Sequence, residues 1–146
     1  MKSIKVYLGC SLTNSPDSFR KEIVELKKLL QEKYTLLEFF SDPLSIKNQS
    51  SEIEYCRQIY EFDKNCVESC DLFVAEISYP SLGEGMELAF AITNNKPILA
   101  IAKPDAQVSR MVIGITHPDF KLLRYSSLSE ILEAVESKVK SQPSSK

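Results

Sequence analysis

Residues 71–91 read DLFVAEISYPSLGEGMELAFA, and the order of residue types within them decides the fold. Asp71–Ile77 is a short apolar run of the kind found in a parallel strand covered on both faces. Ser78–Gly85 supplies turn residues, and Met86–Asn94 continues as a helix on Leu88, Ala89, Ala91 and Ile92. A strand that runs through a glycine-containing turn into a helix is half of a βαβ unit.

The flanking sequence repeats that alternation. Upstream, Ile4–Leu8 reads as a strand ending at Gly9. Pro16 suits the first turn of a helix that carries Phe19, Ile23, Leu26, Leu29 and Leu30 at helical spacing. Tyr34–Phe40 is rich in β-formers, Ser41–Ser51 reads as a loop, and Ser51 with Glu54 predicts a capping box for a helix reaching about Cys70. Downstream come a strand at Ile98–Ala102, a short helix near Val108–Ile113, a strand at Phe120–Tyr125 and a helix at Leu128–Val139. Strands alternating with helices predict a single α/β domain, a flavodoxin-like (Rossmann-like) three-layer sandwich on a five-stranded parallel sheet. The domain spans residues 1–141, and 142–146 form a disordered tail. Ligands of such sheets bind at the carboxyl ends of the strands, which gathers the loops after strands one, three and four around one cleft.

Composition narrows the function. The 146 residues carry a net charge of −2 and 43% hydrophobic residues, so no basic footprint for nucleic acid exists, and no membrane-binding run. The apolar stretch in MKSIKVYLGCSL is too short for a signal peptide or a span, and a cytoplasmic location is the default expectation. Cys10, Cys56, Cys66 and Cys70 form no C-x-x-C pair and stand far from His117, the single histidine. They read as buried reduced thiols, and no metal or organic cofactor is expected.

Four groups of residues carry chemistry. Ser81, Gly83 and Gly85 lie where backbone amides and a hydroxyl at a helix N-terminus cradle an anion. Glu87 falls in the first turns of that helix, where the dipole favours an ionised carboxylate nucleophile, whereas Glu84 between the glycines is expected to face solvent. Asp63 occupies the apolar stripe of the second helix with Cys56, Ile59, Val67 and Cys70; a carboxyl held there is paired or faces a cleft. Tyr7 lies on the first strand, with Ser11 and Thr13 on its loop. From the residues alone, Tyr7 reads as core and the loop hydroxyls as turn formers.

With these residues in place, YPSLGEGMELAFA (79–91) resembles the signature of the nucleoside 2-deoxyribosyltransferase superfamily, and within it the 2'-deoxynucleoside 5'-monophosphate N-glycosidases. The resemblance runs from Val6 to the last helix. It implies Glu87 as nucleophile, Asp63 as catalytic acid and Tyr7 as a site tyrosine. It further implies Ser81 as a phosphate contact and Ser109, in SRMVIG, as a residue reaching the ligand of a neighbouring subunit, hence a homodimer or higher homo-oligomer. Thr13 stands where the family's glycosidases carry Arg, and Phe39 where they carry His. Met86 matches the transferase branch.

The expected function is cleavage of the N-glycosidic bond of a (2'-deoxy)nucleoside 5'-monophosphate through a glycosyl-enzyme on Glu87. Alternatives are base exchange between nucleosides by a 2-deoxyribosyltransferase and a non-catalytic nucleotide-binding module. A flavin-binding carrier is disfavoured, because CSLTNSPDS lacks the glycine of a flavodoxin phosphate loop.

Overall fold

The computed structural model describes residues 3–37 and 52–143. Its elements are β1 (Lys5–Cys10), α1 (Asp17–Gln31), β2 (Thr35–Leu37), α2 (Glu52–Ser69), β3 (Leu72–Glu76), α3 (Leu82–Thr93), β4 (Ile98–Ala102), α4 (Arg110–Ile113), β5 (Phe120–Arg124) and α5 (Leu128–Lys140). All strand pairs are parallel, in the order β2-β1-β3-β4-β5, so the expected flavodoxin-like sheet is the one found. The order reverses between β1 and β3, and ligand sites form beside such a reversal.

β3 and β4 are buried at every position, as two-sided cover requires. The period of two along each strand sorts side chains onto two cores. Val6 and Leu8 join Leu72, Val74, Leu99 and Ile101 against Phe19, Ile23, Leu26 and Leu30 of α1 and Ile131 and Val135 of α5. Tyr7 joins Phe73, Ala75 and Ile98 against Cys66 and Val67 of α2 and Leu88 and Ala91 of α3. Gly9, two residues beyond Tyr7, opens toward α3 on that same face.

Three expectations are corrected. Helix α3 starts at Leu82, not Met86, because the Ser81 hydroxyl accepts the Glu84 N–H and caps it there. Gly83 and Gly85 therefore lie inside the helix, and neither has a positive φ. The cap and the buried stripe outweigh a helix cost of about 1 kcal/mol per glycine. Cys56 is exposed rather than buried with Cys66 and Cys70, since the buried side of α2 turns away from it. Glu84 does not face solvent, as described below. The second half of the expected strand two, Phe39, the loop 41–51 and Ser51 of the expected capping box lie outside the described residues. Gln142, assigned to the tail, donates from Nε2 to the Asp71 carbonyl at 3.1 Å.

Candidate active site

The site is built where β1 faces α2 and α3. On α3, the buried positions are Glu84, Glu87, Leu88 and Ala91, a helical stripe whose first two members are carboxyls. Opposite them, Tyr7 is 7% exposed and stacks on Phe73 with ring centroids 5.6 Å apart. Its hydroxyl donates to Glu87 Oε1 at 2.8 Å. Burial among carboxylates pushes the Tyr7 phenol far up, so it stays a neutral donor. Asp63 reaches toward the same cluster from α2, near enough for its charge to act on both Tyr7 and Glu87. Burial raises its carboxyl, while Tyr7 and Glu87 pull it back down. A carboxyl whose burial favours its protonated form is suited to hand a proton to a leaving group.

Glu87 is 8% exposed. Burial pushes its carboxyl up to about 7, opposed by the Tyr7 hydrogen bond and reinforced by Asp63. This reverses the expectation from the helix dipole. Glu87 is the sixth residue of α3 rather than part of its first turn, and the dipole falls off within that turn.

Two residues that sequence reasoning missed complete the cluster. Glu84 is 5% exposed and lies beside Glu87; burial and then the Glu87 charge hold its carboxyl well above the usual range. Gly9 makes room for the pair. A Cβ there would lie 2.6 Å from Glu87 Oε2 and 2.7 and 2.8 Å from the two Glu84 oxygens. Both signals were available. A glycine inside a strand marks close approach of another group, and Ser81-x-x-Glu84 has the spacing of a capping box that would have started α3 early. Only half of that box forms, since the Glu84 side chain turns inward instead of returning to the cap.

The remaining predicted residues lie around the cluster. Ser11, 2% exposed, accepts the Asn14 N–H at 3.4 Å, and Thr13 is exposed on the same bend. Asn14 Nδ2 donates to the Pro80 carbonyl at 3.2 Å and joins this loop to the start of α3. The Ser81 hydroxyl oxygen is occupied as the cap, and the Gly85 N–H is bonded to the Ser81 carbonyl at 3.2 Å. The Ser81 O–H and the first amides of α3, those of Leu82 and Gly83, have no partner inside the helix. Ser109 is not brought to the cluster within one chain. It is exposed and caps α4 by accepting the Met111 N–H at 3.2 Å.

No model of a known protein family matches the chain. A curated protein of Thermofilum pendens, named "Putative 2'-deoxynucleoside 5'-phosphate N-hydrolase 1", is 34% identical over 142 residues, covering 92% of this chain and 94% of that protein. The 5-hydroxymethyl-dUMP N-hydrolase of Danio rerio is 38% identical over 114 residues, covering 74% and 78%. Among solved structures, a CMP N-glycosidase of Clostridium botulinum superposes with a TM-score of 0.65 at 20% identity, over 90% of this chain and 98% of that one.

Proposed function

The chain belongs to the 2'-deoxynucleoside 5'-phosphate N-hydrolase family, and from that we propose that it hydrolyses the N-glycosidic bond of a (2'-deoxy)nucleoside 5'-monophosphate. It is an enzyme of N-glycosyl bonds; the substrate and the roles below are our reading. One observation carries it: the Tyr7 hydroxyl holds Glu87 Oε1 at 2.8 Å with Asp63 near both, where β1 faces α2 and α3. A binding module has no use for buried carboxyls that, among the described residues, make no ion pair.

In the first step the Glu87 carboxylate bonds to C1' as the C1'–N bond breaks. The electron pair leaves with the base, which takes a proton from Asp63. Glu87 stabilises the oxocarbenium-like transition state before trapping it. In the second step water attacks C1', Asp63 takes back a proton, and the sugar phosphate leaves with Glu87 restored as a carboxylate. A second base in place of water would make the reaction a transfer. The 5'-phosphate is bound by the Ser81 hydroxyl and the Leu82 and Gly83 amides at the start of α3, with Ser109 contributed by a second copy of the chain.

The test is chromatography of released base from a panel of nucleosides and monophosphates, with and without a second free base. Glu87→Gln should abolish release, and residual activity above about a tenth refutes the nucleophile assignment. Thr13 lacks the charge of the family's Arg, so monophosphates should be preferred by a modest margin in kcat/KM. Ser81→Ala should narrow that margin, and an unchanged ratio removes the phosphate from this end of α3.

A further inference from the structure

Glu84 has no part in the mechanism above, yet it is more buried than the nucleophile. It is not a capping side chain, because its carboxyl is turned inward from the helix N-terminus onto the Gly9 backbone. Its Oε1 is buried and has no hydrogen-bond partner among the described residues. Among the described residues, the titratable groups that act on it are all neutral or acidic: Tyr7 from β1, Asp63 from α2 and Glu87 from its own helix on this face of the sheet, and Cys10 of β1 and Glu76 of β3 from the other. Among the described residues neither glutamate makes an ion pair.

Two buried carboxyls crowded onto the same point at Gly9, with no cation beside them among the described residues, cannot both be ionised. One proton stays between them, and the geometry decides who keeps it. Glu87 Oε1 already accepts from Tyr7, which favours its charged form. Glu84 receives no such donor among the described residues. We propose that Glu84 is a positioning residue, a carboxyl that keeps the shared proton and donates it as a hydrogen bond to Glu87, holding the nucleophile ionised and aimed at the sugar. The directions agree: the bond between them raises Glu84 and lowers Glu87. Tyr7 and Glu84 then grip Glu87 from two sides, one from the strand and one from the helix.

The inference rests on Glu87 as nucleophile, and its test separates the two ideas. Glu84→Leu removes the donor and keeps the bulk. Losing a hydrogen bond to a charged group should move the acid limb of the kcat/KM profile up by about one to two pH units. That is a loss of about ten- to a hundredfold below the limb. Glu84→Gln, whose amide still donates, should return the limb to near its wild-type position. A residue that merely crowds Glu87 with charge would shift the limb the other way on removal. An acid limb that stays put or falls in Glu84→Leu, with Glu87→Gln inactive, overturns the proposal and leaves the nucleophile standing. Activity in Glu87→Gln overturns both. Carbon-13 NMR titration of the glutamate carboxyls decides the matter without activity, and without relying on Glu84→Leu to fold. The Glu84 and Glu87 signals should move together in two steps in the wild type. Glu87 should titrate in one step in Glu84→Gln. A single independent step for Glu87 in the wild type refutes the shared proton.

Discussion

Replacing Gly9 with alanine adds one methyl group at the point where β1 meets the two glutamates of α3. The backbone at Gly9 has no positive φ, so alanine fits the chain there and the effect comes from contact alone. The new Cβ would lie 2.6 Å from Glu87 Oε2 and 2.7 Å from Glu84 Oε2, where ordinary contact begins near 3.4 Å. Each carboxylate must therefore retreat by roughly 0.7–0.8 Å. Neither has a free direction, since both are buried and Glu87 is tied to Tyr7 at 2.8 Å. Overpacking of this size costs about 1–3 kcal/mol, offset by about 0.4–1 kcal/mol from the stiffer unfolded chain. Melting should fall by several degrees, while the fold persists. Activity should suffer more, because displacing a reacting group by about 1 Å costs on the order of a hundredfold. The assay pairs thermal denaturation with kcat/KM for base release. A Gly9→Ala enzyme within about threefold of wild-type kcat/KM would refute the view that Gly9 exists to seat the carboxylates.

Gly85→Ala is the matching control: nothing lies within 4 Å of the added Cβ, so helix stability should rise by about 0.5–1 kcal/mol and melting with it. If substrate approaches the bare start of α3, KM should rise while kcat holds; an unchanged KM places the ligand elsewhere. Asp63→Asn should slow release most for bases that need protonation to depart, and an equal loss for readily leaving bases would make Asp63 a structural group. Stability should depend on pH in a definite direction. Glu84 and Glu87 are raised in the fold, Glu87 to about 7, so the folded chain binds protons more tightly than the unfolded one. Their contribution is complete below about pH 4.3, the unfolded value, and is lost as pH rises through the folded values. Urea unfolding at pH 6 and pH 8 should show the loss, and Glu84→Gln should reduce it; a stability that rises between them refutes the assignment.

Much of this was legible in the sequence because parallel sheets write their burial plainly. Leu72–Ala75 and the run Ile98–Ala102 are apolar throughout, and the strands they belong to are buried at every position. Asp63 was legible for the opposite reason, as a charge standing in an apolar stripe. The start of α3 was misread because two glycines looked like a turn, whereas a serine cap three residues before Glu84 was enough to hold them in a helix. That error of four residues hid Glu84. In a helix starting at Leu82 it falls on the buried stripe with Glu87, while in a turn it had no face to share. The ionisation of Glu87 was misjudged because a dipole is visible from sequence position, and desolvation depends on what other elements cover. Gly9 could be understood only once β1 and α3 were placed together, since its role is the space it leaves.

The far face of the sheet explains how so crowded a cluster is held. Glu76 ends β3 on the side opposite Phe73 and Ala75, 1% exposed. It accepts the Ser78 N–H at 2.5 Å, the Ser78 hydroxyl at 3.0 Å and the Tyr125 hydroxyl. The Ser78 hydroxyl oxygen in turn accepts the Lys103 N–H at 2.8 Å, and Arg124 Nη1 bonds the Lys103 and Ala106 carbonyls. The loops that follow β3 and β4 are thereby pinned from the face that does no chemistry. Ser81 and the start of α3 hang from the first of these loops and Ser109 from the second. A buried network that engages both carboxylate oxygens is rigid, and removing one donor should cost about 1.5–3 kcal/mol, as for a hydrogen bond to a charged group. The chemical face can therefore leave one carboxyl oxygen, Glu84 Oε1, without a partner among the described residues, because the opposite face holds its loops in place. Two carboxylate clusters thus flank β3: Glu76 fixes the frame on one face, and on the other Glu87, Glu84 and Asp63 form the candidate site that the frame holds.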